Sequence, residues 1–416
     1  SGEPVEAHPP LLLRVAGQSR WGPFAYQPVL ARQGRRITRE HQLPLALMGH
    51  LLEAYQVGPV PELLVLGGGG RRLERERIRL TSGLRKQLSE ALRKLNADLE
   101  RPQPPALAAD RRKCTLCSWR ESCSRVASAD GHLSEVSGIG AKRREMLQEL
   151  GIHGLNDLAS ANPERLAVQM ERFGEQHGDV AGALVAQAMA QRDGLVERLD
   201  STLALPELQR APGVLLYDIE SDPDARHDFL HGFLRLPRQS DGGWDLAAAT
   251  YHPLLVLAEH GEQRSWLRLQ RLLNRYEGWP ILHYGETETL SLRRLAQRQG
   301  ASDAQLRRLK RSLIDVHARI RSHWRLPLSS YGLKSVAAWR GFRWSQSGVD
   351  GARALLWWRQ WLGEGPKRRG SRHGLAWIFR YNQDDCRATW AVAEWLLKED
   401  DLLKTGPDTD QPTAGP

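Results

Sequence analysis

The chain has 416 residues, 41% of them hydrophobic and 26% charged, a globular balance in which about two to four domains are expected at this length. No apolar run approaches the ~18 residues of a membrane span and no charged-then-apolar secretory start precedes the fold, so a cytoplasmic protein with no membrane partner is expected. Lysine and arginine number 59 against 49 acids, a net charge of +10, and the excess gathers between residues 260 and 325, where fourteen basic residues face six acidic ones. Such a surface suits a polyanion, though solvated helix faces of an arginine-rich chain have the same composition. The first methionine is Met48, so a fragment or processed chain is expected.

In chain order, Glu40–Tyr55 has helical periodicity, Glu62–Leu66 is strand-like, and residues 71–80 alternate charged and apolar side chains as a strand does. Gly67–Gly70 reads as a turn. No lysine follows it, and no G-x-x-x-x-G-K-[ST] phosphate loop occurs, so no helicase motor is visible. Residues 82–100 form an amphipathic helix stopped by Arg101–Pro105. Short helices are expected over 133–170 and a longer alanine-rich one over about 176–199, before a linker punctuated by Pro206 and Pro212. From residue 213 the pattern becomes α/β. Strands are expected at 213–220, 227–236, 245–253 and 279–284, and helices at 261–276, 287–299, 303–322 and onward to 398. The segment 403–416 is a polar, proline-rich tail expected to be disordered.

Asp218 and Glu220 end the apolar run GVLLYDIE, and the period of two in a strand points both carboxylates to one face. Their repulsion is relieved by a hard divalent cation such as Mg²⁺ or Mn²⁺, or by simple exposure at a strand end. Glu288 follows the WPILHY strand and enters the first turn of a helix. Glu286 is off that face, and a helix N-terminus favours acids in any case. Tyr381 and Asp385 stand at i and i+4 and share a helix face, with Asp384 about 100° away.

Taken in order, Asp218-x-Glu220, Glu288 and Tyr381-x-x-x-Asp385 resemble the DEDD family of 3′–5′ exonucleases, which have a ribonuclease H-like fold. The usual second acid is an aspartate five residues after a histidine; here Glu288 is five after His283. SSYGLKSVAAWRGFRW (329–344) is similar to a stretch of YprB-like ribonuclease H-like domains, and the resemblance covers about residues 212–400. It implies a two-metal phosphodiesterase acting on single-stranded DNA or RNA. Asp218 would bridge two Mg²⁺ or Mn²⁺ ions, Glu220 and Asp385 would hold the water-activating one, and Glu288 would help hold the second. Tyr381 would orient the water, and His283 would touch nucleic acid or be a satisfied strand-end histidine. Asp315 would cap a helix or lie exposed rather than assist the metals.

Cys114-x₂-Cys117-x₅-Cys123 has the spacing of zinc or iron–sulfur ligands. The block resembles the end of RecB-like (PD-(D/E)XK-type) nuclease domains, where a [4Fe–4S] cluster is completed by an upstream cysteine. No cysteine precedes Cys114, so the fourth ligand lies upstream of Ser1 or the cluster is lost; Cys386 reads as a buried packing residue. The resemblance extends back over residues 25–56. The expected E-x-K of its strand reads Tyr26-Gln27-Pro28 and on to Arg32, without the acid, and Gln42 matches the helix glutamine. This implies a DNA-guiding or structural remnant. Between the two nuclease-like parts, Val136–Lys142 resembles a helix-hairpin-helix turn. There Gly138 and Gly140 would let backbone N–H groups meet a phosphate beside Lys142 and Arg143, unless the turn is only a spacer.

The expected fold class is therefore α/β multidomain: a partial RecB-like region (1–125), a helix-hairpin-helix and helical linker (126–200), a ribonuclease H-like exonuclease domain (208–402) and the tail. The expected function is a DEDD-type exonuclease. The alternative is a weak or inactive nucleic-acid-binding module of a larger repair or helicase assembly.

Overall fold

The computed structural model describes residues 5–33, 39–68, 74–104, 107, 114, 117, 119–223, 225, 227–257, 261–363 and 373–405. The chain divides into two compact units, Ser1–Leu107 and Ala108–Pro416. The expected tail falls largely outside the described residues.

In the first unit, β1 (Leu11–Ser19) and β2 (Gly22–Gln33) form an antiparallel pair, and α1 (Arg39–Gln56) leads to β3 (Leu63–Gly68), which is parallel to β2. β4 (Glu74–Ile78) closes a sheet of order β1-β2-β3-β4, and α2 (Ser82–Leu99) packs beside α1. Thr81 caps α2 by accepting from the Leu84 N–H. The core is aliphatic, with Leu45, Ala46, Leu63, Val65, Leu84 and Leu88 buried.

The second unit begins with α3 (Arg120–Ala129). Five more helices follow: α4 (Ala141–Glu149), α5 (Leu155–Ala159), α6 (Pro163–Met170), α7 (Glu175–Gly178) and α8 (Ala181–Asp193). The alanine-rich segment is thus two helices rather than one. Leu133, Val136, Leu147, Leu158, Leu166, Met170 and Leu184 form its core. The expected linker is packed structure instead. β5 (Glu197–Arg198) pairs with a later strand, and the fully buried Asp400 accepts from the backbone N–H groups of Ala204 and Leu205 and pairs with Arg198.

The sheet of this unit has the order β10-β9-β6-β7-β8. Its central strand, β6 (Gly213–Asp222), is buried on both faces along Val214–Tyr217, as expected for a continuous apolar run. β7 (His227–Pro237) and β8 (Thr250–Leu255) follow antiparallel; β9 (Ile281–His283) and β10 (Leu313–Asp315) add parallel on the other side. α9 (Gly261–Arg275), α10 (Glu286–Arg298) and α11 (Asp303–Ser312) share a core with Leu215, Tyr217 and Phe233 on one face. α12 (Val316–His323), β11 (Trp324–Arg325, the partner of β5), α13 (Leu333–Trp339), α14 (Gly351–Gly363) and α15 (His373–Thr405) complete the unit. α15 packs on the opposite face, against Val214, Leu216, Leu234 and Leu282. The expected single helix over 303–322 is two helices separated by β10.

Among the described residues no helix is long and apolar enough to cross a membrane. Several tryptophans pack, as expected. Trp358 stacks on Phe229 at 4.5 Å, and Trp390 and Trp395 are buried along α15.

Candidate metal and nuclease site

β6 carries Asp218 and Glu220 on the same face as Val214 and Leu216, the face covered by α15. β6 ends in a register shift after Glu220, which separates the carboxylates from the regular ladder. α15 passes close above because the residue paired with Asp218 is Gly232. A Cβ added there would sit 1.6 Å from Asn382 Oδ1, so only a glycine admits the helix at this height. That approach brings Asp385 to β6. Ligand oxygens of Asp218, Glu220 and Asp385 all fall within 4.8 Å of one another. Tyr381 shares the face, four residues before Asp385, although α15 begins at His373 rather than at the tyrosine.

The three carboxylates are held rather than neutralised. Asn382, fully buried, donates Nδ2–H to Asp218 Oδ2 at 2.6 Å and accepts from the Tyr251 hydroxyl at 2.7 Å. Trp344 donates Nε1–H to Asp385 Oδ1 at 2.7 Å. The Tyr381 hydroxyl also bonds Asp385. Burial, followed by repulsion from Asp385, pushes Asp218 and Glu220 well above the carboxylate range. Asp385 rises to about 6, with burial the largest cause, against the lowering bond from Trp344 and the field of Lys334. Burial raises Tyr381 too, so its hydroxyl keeps its proton.

Glu288 stands in the first turn of α10, as expected, and is 9% exposed. Burial, then Asp315 and Asp385, push it to about 7. Its Oε2 is buried without a hydrogen-bond partner, and it lies outside the group of three within 4.8 Å. Glu286 is exposed. Asp315 caps α12 through the N–H groups of His317 and Ala318 and also accepts from Gly285 N–H at 2.9 Å, fixing the turn before Glu288.

His283 is tied into the protein at the strand end. It is 1% exposed, and both ring nitrogens are engaged inside the protein, Nδ1 with Gly285 O at 2.8 Å and Nε2 with Thr289 Oγ1 at 2.9 Å. The ring ties the β9–α10 turn together and has no nitrogen left for a substrate. Asp384 lies off the site, as expected, and anchors Ser345 through its N–H and hydroxyl.

Sequence reasoning overlooked Asn382, Trp344 and Lys334. Lys334 opens α13, with Nζ 5.3 Å from the Tyr381 ring centroid and donating to Val349 O at 2.7 Å. Its field lowers the pKa of both Glu220 and Asp385. The YGLK stretch was the available signal for it.

The donor set fits a hard divalent cation: oxygen ligands only, mutual repulsion, and one buried orphan oxygen nearby. The cysteines do not present a comparable set. Cys114 and Cys123 are half-buried and Cys117 is exposed, all as free thiols. Among the described residues their sulfurs do not gather into a ligand group, so an iron–sulfur or zinc centre finds no support here. Cys386 is fully buried, as expected.

In the middle region Gly138 adopts φ +92°, and Gly140 opens α4 without a side-chain cap. Lys142 is exposed, while Arg143 donates to Gly138 O at 2.7 Å and so braces the turn. On β2, Gln27 is buried, and the Tyr26 N–H bonds the fully buried Gln56 at 2.9 Å.

A family model of the RNase_H superfamily, RNase_H_2, matches residues 215–397, which supports a ribonuclease H-like C-terminal domain. No curated protein and no solved structure matches the chain.

Proposed function

We propose that the C-terminal domain is a metal-dependent nuclease, a 3′–5′ exonuclease of DEDD type acting on single-stranded DNA or RNA. The observation that carries this reading is the convergence of Asp218, Glu220 and Asp385 within 4.8 Å, from a strand and a helix, inside a ribonuclease H-like domain. Asp218, Glu220 and Asp385 would hold Mg²⁺ or Mn²⁺, with the orphan oxygen of Glu288 available to a second ion. Cations bound there supply Lewis-acid charge and a water of lowered pKa. Tyr381, kept protonated, orients the attacking water through its hydroxyl. Lys334, the cation beside Tyr381, holds a non-bridging phosphate oxygen. Asn382 and Trp344 fix the carboxylates of Asp218 and Asp385 and act as positioning residues. Gly138, Gly140, Lys142 and Arg143 remain candidates for a backbone contact in the middle region.

One observation favours a second reading, a weak or inactive nucleic-acid-binding module of a repair or helicase assembly. Glu288 replaces the usual aspartate and stays outside the three-carboxylate group. Cleavage of end-labelled single-stranded DNA and RNA with Mn²⁺, Mg²⁺ or EDTA, beside Asp218→Asn, decides between them. Metal-dependent shortening from the 3′ end that the variant loses supports the exonuclease. Binding without cleavage supports the module.

A further inference from the structure

On the face of the sheet opposite the carboxylates, β8 and α9 enclose a groove of about 440 Å³. α9 lines it with Arg268, Arg271 and Arg275, β8 contributes Tyr251 and His252, and Tyr276 lines it as well. With Arg264, the arginines are spaced four, three and four residues apart, which places all of them on one stripe of the helix. Like charges at this spacing destabilise a helix, so the stripe is not explained by packing. Nor is it neutralised. Among the described residues, Arg235, Arg268, Arg271 and Arg275 make no ion pair, and the acids Glu262 and Glu277 are paired instead with Arg298 and Arg308.

Two further groups deepen the imbalance. Arg235 Nε and His252 Nε2 are buried without a hydrogen-bond partner among the described residues. The Arg235 guanidinium lies 5.4 Å from the Tyr276 ring centroid and that of Arg275 5.7 Å from the same ring. The positive field is felt locally, since burial, then Arg235 and Arg275, lower the pKa of His252. An array of cations about an aromatic ring, with the Arg235 Nε–H donor unpartnered among them, is complementary to a chain of phosphates with bases attached.

The groove also has a route to the site. β8 is the edge strand, and its residues alternate between the two faces. His252 turns to the groove, while its neighbour Tyr251 hydrogen-bonds Asn382, which in turn bonds Asp218.

We propose that the β8–α9 groove is a second nucleic-acid contact that grips the phosphate backbone of a strand at a distance from the carboxylates, through Arg268, Arg271 and Arg275. The proposal rests on the nucleic-acid reading above but not on catalysis. Its test is fluorescence anisotropy of labelled 6-mer and 24-mer single strands in EDTA across a salt series. The variants are Arg268→Ser/Arg271→Ser/Arg275→Ser and an equal-charge control on α11, Arg307→Ser/Lys310→Ser/Arg311→Ser. The groove variant should bind the 24-mer roughly tenfold or more weakly, with the slope of log K against log salt shallower by about 2, as three lost phosphate contacts require. The 6-mer, too short to occupy both sites, should change far less.

Equal losses from the two variants, or no loss from the groove variant, would overturn the proposal. So would loss of binding to phosphatidylserine vesicles with strand binding intact, which would mark a lipid surface. If the triple variant melts early, Arg271→Ser alone should still lower the slope by about 0.7. Groove-dependent binding by a protein that cleaves nothing with Mn²⁺ would sink the exonuclease reading and leave the groove standing. Cleavage without groove dependence would do the reverse.

Discussion

The four-stranded and five-stranded sheets of this protein meet the same sequence expectation, a nuclease strand, with opposite chemistry. β6 carries Asp218 and Glu220 toward a helix that adds Asp385, and the group is mutually repulsive. β2 presents Tyr26, Gln27 and Pro28 at the corresponding expected positions, and the Tyr26 N–H bonds the buried Gln56, whose own amide N–H groups reach Gly58 O and Pro59 O. A buried site whose charges repel is costly unless something binds there, whereas a buried site whose amides are paired needs no ligand. The contrast teaches that a nuclease-like strand is best recognised by the imbalance it leaves, not by its place in a fold.

The sharpest test of that contrast substitutes one residue in each sheet. Asp218→Asn should lower metal-dependent cleavage by at least ~10³-fold, since several kcal/mol of metal-mediated stabilisation are lost. Gln27→Ala should leave cleavage within about twofold, because it removes no group that touches the reacting atoms of the proposed site. A comparable loss from Gln27→Ala would break the comparison and return the first unit to consideration as a catalytic domain.

The next effect is on stability. Glu288 is raised to about 7 by burial and neighbouring acids. A carboxyl whose folded pKa exceeds its unfolded value contributes stability that is full below the unfolded pKa, near 4.5, and lost as pH rises through about 7. Metal-free protein should therefore melt lower at pH 8 than at pH 5.5 as far as this group is concerned. Glu288→Gln should raise metal-free stability at pH 8 by on the order of 2 kcal/mol, with the gain vanishing near pH 5. With Mn²⁺ present the order should invert, as the variant loses a ligand. Calorimetry at the two pH values, with and without Mn²⁺, checks this; a variant that gains as much from Mn²⁺ as the wild type would remove Glu288 from the metal site.

Much of this site was legible in the sequence, for identifiable reasons. The apolar run before Asp218 and the period of two determine both the strand and the face of the carboxylates. The i and i+4 spacing of Tyr381 and Asp385 likewise survives in α15. What escaped was what depends on register between distant segments. Asn382 carries no charge to draw notice, and its role follows only from Gly232 admitting the helix and Tyr251 standing across the sheet. β10 is three residues set between two helical stretches, and it becomes a strand only because β9 lies parallel to it. The spacing of His283 to Glu288 held, yet the ring's function is set by Gly285 and Thr289, which spacing alone does not weigh. The cysteine run shows the opposite failure. Its spacing suggests a metal, but among the described residues its sulfurs form no group of the kind that the three carboxylates form.

Gly232 and Trp344 separate the approach of α15 from the orientation of its carboxylate. Gly232→Ala must move Asn382 or the helix, and overpacking of this kind costs about 1–3 kcal/mol. Urea denaturation should show it, with cleavage falling as well because Asp385 retreats from β6. Trp344→Phe retains the ring's bulk and removes only the N–H that holds Asp385 Oδ1. The expected result is a roughly 10-fold weaker Mn²⁺ requirement curve with little change in denaturation midpoint, the signature of a residue that orients a ligand. If Trp344→Phe instead lowered stability as much as Gly232→Ala and left the Mn²⁺ dependence alone, the indole would be packing material. The preorganisation of Asp385 would then rest on Tyr381 and Lys334.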